Sequence, residues 1–282
     1  MPDRSLILKV VIAMTAFAAN SVLCRLALKG GHIDPVSFSN FRLISGAIIL
    51  LPFLLKKGEL RHLRLSVLNG FLLMIYAIFF SIAYIHLDTG TGALLLFGVV
   101  QVTMVIYGIL QGEKFTVVRA TGLALALAGM VLLLLPGASA PPLASAVLMA
   151  VSGLAWAVYS IRGRTTVAPA QATARSFLLA LPFALLMTHF IGETPRVELT
   201  GAGLAIASGA LASAGAYVLW YALLPKIESV TASTVQLSVP CLAMLGGVLF
   251  LGETLSWRMG ISMIAVLAGI GLVMWQPRSG RN

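Results

Sequence analysis

Residues 88–113 read DTGTGALLLFGVVQVTMVIYGILQGE, and residues 228–253 read ESVTASTVQLSVPCLAMLGGVLFLGE. Each opens on an acid, runs through an apolar interval and closes on Gly-Glu. Laid over one another without gaps, Asp88 meets Glu228, Thr91 meets Thr231, Val99 meets Val239 and Met104 meets Met244. Gly112-Glu113 then meets Gly252-Glu253, and further on Leu127-Ala128-Gly129 meets Leu267-Ala268-Gly269. A spanning helix needs about 20 apolar residues, and both stretches supply them. In lipid every backbone polar group must be satisfied within the protein, so runs this long read as helices and not as barrel strands.

Outward from this pair, comparable runs lie at 6–28, 35–55, 66–87, 89–111, 118–136, 142–161, 169–191, 201–224, 230–251 and 258–276. Ten spans would use about 200 positions of the 282 in the chain, which leaves only short connections. Composition agrees: 59% of residues are hydrophobic, 10% are charged, and the mean hydropathy is +1.00. An ordinary soluble domain carries about 25% charged residues. A soluble enzyme and a disordered chain are both excluded, and there is no room for a separate soluble catalytic domain.

The repeat extends to the other end of each half. Ala18 to Arg25 resembles Ala155 to Arg162, and Leu51-Pro52-Phe53 recurs as Leu181-Pro182-Phe183. Two units follow, 1–137 and 138–282, with five helices each. Five is odd, so the second unit enters the membrane from the opposite side. The expected fold is an all-α integral membrane bundle of ten transmembrane helices in two inverted five-helix repeats. The first run imitates a signal peptide, with Arg4 and Lys9 before an apolar stretch and Ala16-Phe17-Ala18 as a cleavage-like site. Its apolar character continues to Leu28 and a related segment recurs at 150–162, so it reads as a span.

The net charge is +10. With the amino terminus and every second loop on one side, that side holds thirteen Lys and Arg, including Lys56, Lys57, Arg61, Arg64, Lys114, Arg278 and Arg281. The other side holds four: Arg25, Lys29, Arg196 and Arg258. Basic residues accumulate on the cytoplasmic side, so both termini are expected there. The basic excess is a topology signal beside anionic lipid and needs no nucleic-acid partner. Cys24 and Cys241 lie in apolar runs and read as small buried hydrophobes.

No phosphate loop, dinucleotide fingerprint, zinc-protease helix, Ca²⁺ loop or nucleophile elbow occurs. No cofactor or metal is implied. All nine acids fall in loops, tails or helix ends, which disfavours a lipid-modifying membrane enzyme. Proton-coupled carriers usually place a carboxylate or His inside the bundle, and none stands at mid-depth. Glu113 and Glu253 follow glycines at helix ends. They are solvated or capping acids near Lys114 and Arg258, or coupling or gating acids at the two mouths.

Arg42 and Arg175 fall inside spans, where an arginine costs roughly 2.5–3.5 kcal/mol before snorkelling. Each either snorkels to its nearer surface or lines the pathway and attracts a substrate carboxylate. Aromatic residues recur at helical spacing: Tyr76, Phe80 and Tyr84 on one face, Tyr217 and Tyr221 on another, and Trp156 with Tyr159. They form interfacial belts or helix contacts, or they line an apolar substrate site with a few polar handles. Asn20, Gln101 and Gln236 are the uncharged candidates for those handles, or else bind helix to helix.

These residues together resemble EamA-type members of the drug/metabolite transporter superfamily. The likeness rests on Asn20 with Arg25, Asn40-Phe41-Arg42, the two Gly-Glu helix ends, Trp156 with Tyr159 and Arg162, and Ser238-Val239-Pro240. It covers essentially the whole chain. Two departures stand out: Val100-Gln101 occupies the place that Pro240-Cys241 fills in the second half, and Phe17 stands where tryptophan is common. Both bear on gating or substrate choice. The resemblance implies a multi-pass secondary transporter of the bacterial inner membrane that exports small hydrophobic or aromatic metabolites by alternating access. Amino acids are foremost among these, as in aromatic amino-acid exporters of the YddG type. Its partners would be a small-molecule substrate and the bilayer, and its state a monomer or homodimer. A broad drug exporter, an antiporter of phosphorylated or nucleotide-linked solutes and a passive channel remain as alternatives.

Overall fold

The computed structural model describes residues 4–55, 66–113, 116–135, 141–191, 195–254 and 257–274. Seven of the basic residues that carry the charge asymmetry, Lys56, Lys57, Arg61, Arg64, Lys114, Arg278 and Arg281, lie outside them. Among the described residues the fold is all-helical, with no strand. In chain order the helices are α1 (Arg4–Lys29), α2 (Pro35–Leu54), α3 (Val67–Ala83), α4 (Thr89–Leu110), α5 (Val117–Leu134), α6 (Leu143–Gly163) and α7 (Pro169–Ile191). They continue with α8 (Leu199–Lys226), α9 (Ser229–Leu251) and α10 (Trp257–Met274). Seven of them (α1, α2, α4, α6, α7, α8 and α9) are long and apolar enough to cross a membrane, while α3, Val117–Leu132 and Gly260–Val273 are shorter apolar helices.

Local chemistry sets several ends. Asp34 caps α2 by accepting from the amides of Val36 (3.1 Å) and Ser37 (2.8 Å), with Pro35 in the first turn. Gly112 and Gly252 end α4 and α9 in the left-handed region, at φ 78° and 65°. Only glycine takes that conformation cheaply, so the recurrent Gly-Glu is a helix stop. An isolated bridge, Ile33 to Val197, pins the α1–α2 connection to the α7–α8 connection.

Two helices are irregular. In α8, Ser208–Gly215 winds as a π-helix. A side chain on Gly209 would collide with the carbonyl of Arg42, so this glycine lets α8 approach the backbone of α2. In α9 the helix is interrupted at Leu237, just after Gln236. Pro240 has no amide to donate back to the carbonyl of residue 236, which is the local reason for the break.

Helix packing has an exchange pattern. α3 packs on α6 and α7; α8 packs on α1 and α2; α4 packs on α6, and α9 on α1. The pairs α2–α7, α4–α9 and α5–α10 close on themselves. Swapping each helix of the first five with its counterpart in the last five reproduces the same set. Large apolar side chains such as Ile48, Leu110, Leu211, Leu249 and Ile264 point outward and are exposed, as suits a lipid solvent.

The α5–α10 crossing depends on missing side chains. A Cβ on Gly122 would lie 2.7 Å from the carbonyl oxygen of Gly269, and one on Gly269 would lie 2.5 Å from that of Gly122. Small residues of this kind let helix backbones approach in lipid. Gly122→Val is therefore expected to lower the unfolding temperature in detergent by several degrees. Gly271→Val, where a Cβ meets nothing within 4 Å, should leave it unchanged.

Candidate functional site

Arg42 is placed by the second turn of α2 and is 1% exposed. It does not snorkel, which overturns that reading of it. Its Nε donates to Ser213 Oγ at 2.9 Å, and its Nη2 donates to the hydroxyls of Tyr76 (3.0 Å) and Tyr217 (2.6 Å). The guanidinium carbon lies 4.9 Å from the Tyr76 ring centre and 5.3 Å from that of Phe80. Cation–π attraction of this kind strengthens when water is excluded. Asn20 donates to the Tyr76 hydroxyl (3.3 Å) and accepts from Ser208 (2.6 Å). The π segment of α8 thus supplies both serines of the network.

The aromatic candidates converge on the same point. Trp156 lies 5.1 Å from Tyr76, 4.7 Å from Tyr217 and 5.6 Å from Tyr159, centre to centre. These spacings fall in the favourable range for ring pairs. Its indole N–H donates to Gln236 Oε1 at 2.8 Å, at the break in α9. Gln101 donates to Thr234 (3.3 Å), two residues from Gln236. Trp156, Tyr159, Tyr217 and Tyr221 are all buried to 2% exposure or less. The rings touch one another in a buried cluster.

Tyr84 and Tyr221 are not interfacial belts, as their closeness to helix ends suggested. Both are fully buried, and their hydroxyls donate to the carbonyls of Thr89 (3.1 Å) and Tyr159 (2.9 Å). Arg175 does not join the cluster: it is half-buried on α7 and donates to Ser66 Oγ at 3.1 Å. Phe17, marked in the sequence only as a departure from the family pattern, is a member of the cluster: its ring meets Trp156, Tyr217 and Trp220 at 5.3–5.9 Å. Ser208 and Ser213 join it without having been sequence candidates. Their spacing of five, inside a Gly/Ala-rich run, is the available signal for a π turn.

The two Gly-Glu ends have reciprocal roles. Glu113, at the end of α4, accepts from the first amides of α9, Ser229 (2.6 Å) and Val230 (3.0 Å). Glu253, at the end of α9, accepts from the first amide of α4, that of Thr89 (3.1 Å), and from the Thr89 hydroxyl (2.9 Å). Each carboxylate thus sits on the positive end of the partner helix. The cation facing Glu253 is not the expected neighbour Arg258. Glu113 faces Arg164 at 3.8 Å and Glu253 faces Arg25 at 3.7 Å, while Arg258 donates to the Leu135 carbonyl. Lys114 lies outside the described residues. Among the described residues no three His, Cys, Asp or Glu side chains group as metal ligands would.

A family model described as the EamA-like transporter family matches this chain twice, over residues 4–135 and 143–275. An uncharacterized protein of Pseudomonas aeruginosa is 50% identical over 285 residues, covering 100% of this chain and 98% of that protein. An uncharacterized transporter of Archaeoglobus fulgidus is 27% identical, covering 94% and 96%. A protein of known crystal structure, 20% identical, superposes with a TM-score of 0.72 over 94% of this chain and 97% of its own, which shows a shared fold.

Partial burial alone would raise the pKa of Glu113. The Val230 and Ser229 amides and the Arg164 guanidinium outweigh it and hold the carboxyl below its usual 4.5. A carboxylate so depressed adds stability above its unfolded pKa and loses it as the pH falls through the folded value. The unfolding temperature of the wild type should therefore exceed that of Glu113→Gln at pH 7. The gap should close only on acidification below 4.5.

Proposed function

The chain belongs to the EamA-like transporter family, and on that premise we propose that it is a secondary transporter exporting small hydrophobic or aromatic metabolites, with amino acids as the first class to test. It is a multi-pass membrane protein, and the bacterial inner membrane is its proposed location. In this reading α1 to α10 all span, as two inverted units of 1–137 and 138–282, with both termini in the cytoplasm. The exchange pattern of helix packing and the double match of the family model support the two-unit reading.

The observation that carries the reading is the closed cluster of Tyr76, Trp156, Tyr217 and Arg42. It is built from α2 and α3 of the first unit and α6 and α8 of the second. A site formed by both halves is where a rocking motion would change access. Buried rings with polar handles from Asn20, Gln236 and Arg42 suit an apolar solute with one polar end. Glu113 and Glu253 would serve as latches, one at each end of the α4–α9 pair. Releasing either would part α4 from α9 on one side only. Pro240, by interrupting α9, would supply the hinge.

Counterflow tests this directly. Proteoliposomes preloaded with unlabelled phenylalanine, tryptophan, tyrosine or leucine and given the labelled counterpart outside should show a transient overshoot without an ion gradient. Trp156→Ala and Tyr76→Ala should each reduce it at least tenfold at equal protein levels. Full activity in both variants would remove the cluster as the site. The absence of overshoot across the panel from folded protein would remove amino acids as the substrate class.

A further inference from the structure

Arg42 carries a permanent charge that no described carboxylate answers. Asp34 caps α2; Asp88 and Glu253 face Arg25; Glu113 holds α9; Glu198 pairs with His32 and Arg196; Glu228 pairs with Arg119. Asp3, Glu59 and Glu193 lie outside the described residues. Around the guanidinium stand hydroxyls and rings, which are neutral. Nε and Nη2 are engaged, but Nη1, although buried, makes no hydrogen bond among the described residues. A buried charge with a free donor is costly unless something pairs with it. With Nε and Nη2 committed, the Nη1 protons remain to make charge-assisted hydrogen bonds to an anion such as a carboxylate.

We propose that the aromatic cluster takes organic monocarboxylates, with the carboxylate on Nη1 of Arg42 and an apolar or aromatic body against Tyr76, Phe80 and Trp156, and that it prefers these anions to zwitterionic amino acids. The proposal rests on the reading of this cluster as the substrate site and narrows its substrate class. A monoanion cancels the charge of Arg42. A zwitterion does not, because its ammonium must then be buried where no described acid receives it. The buried acceptors without partners, such as Gln101 Oε1, are neutral dipoles and cannot restore the balance. A phosphate ester would bring a second negative charge to a single guanidinium.

Calorimetric titration of the full chain in nanodiscs tests this with four ligands that share one ring: 3-phenylpropionate, L-phenylalanine, 2-phenylethanol and 2-phenylethylammonium. The first two differ only by the amino group. The acid is expected to bind at least tenfold tighter than each of the others, and Arg42→Gln is expected to erase that advantage. Should Arg42→Gln fail to fold, Arg42→Lys keeps the charge but lacks Nη1, and its preference for the acid should shrink to a few-fold. A full tenfold preference in Arg42→Lys would place the anchor elsewhere and overturn the proposal. A preference below tenfold in the wild type would overturn it too, and would leave the transporter reading intact. Chloride competing as strongly as the acid would assign Nη1 to an inorganic anion and overturn it. Binding of none of the four would overturn both the proposal and the cluster as the site.

Discussion

A guanidinium with almost no access to solvent sets the terms for the centre of this bundle. An arginine at the centre of a spanning helix costs roughly 2.5–3.5 kcal/mol on translocon-insertion scales. Arg42 offsets part of that cost locally, through three hydrogen bonds to hydroxyls and two ring faces. A hydrogen bond to a charged group is worth about 1.5–3 kcal/mol, but all three partners are neutral, and Nη1 stays buried without one. Their geometry constrains the neighbours. Tyr76 and Tyr217 must point inward from α3 and α8, and Ser213 must turn toward α2. The π winding of Ser208–Gly215 and the bare backbone of Gly209 let α8 come close enough to do this. π segments recur at functional sites for this reason: they re-aim side chains without ending the helix.

A second constraint acts at the ends of the helices. The first amides and last carbonyls of a helix have no partner within it, and lipid supplies none. The α4–α9 pair solves this reciprocally, each helix ending in a carboxylate that receives the first amides of the other. The two contacts sit at opposite ends of the pair because the helices run antiparallel. One exchange operation therefore relates them, as it relates the packing of α3 on α6 to that of α8 on α1. The two ends are not copies. Glu253 has one amide, a threonine hydroxyl and Arg25, whereas Glu113 has two amides and Arg164.

Much of the fold is legible in the chain because lipid removes alternatives. Apolar runs of spanning length can only be helices, and the 140-residue self-match already pairs Glu113 with Glu253. The aromatic candidates also came from spacing, since Tyr76 and Phe80 share one face of α3. Three judgements needed more. Arg42 and Arg175 look equivalent as single arginines near the start of α2 and α7, yet one is buried among rings and the other is tied to Ser66. Tyr84 and Tyr221 look like belt residues by their distance from helix ends, yet neighbouring helices bury them. Phe17 stands out in the chain only as a departure from the family pattern, and the serines of α8 only by their spacing, and neither sign places them at the centre.

By itself the sequence determined an all-helical membrane bundle, its internal repeat, the glycine stops and the residue types available at its centre. These follow from composition, periodicity and backbone preferences, which act along the chain. The tertiary structure decided which of two similar arginines is buried inside and which arginine each helix-end carboxylate meets. It also decided that rings from both halves close on one point. Those outcomes depend on where helices distant in sequence approach each other. That is set by packing across α2, α8 and the α4–α9 pair, and it leaves no signature in local spacing.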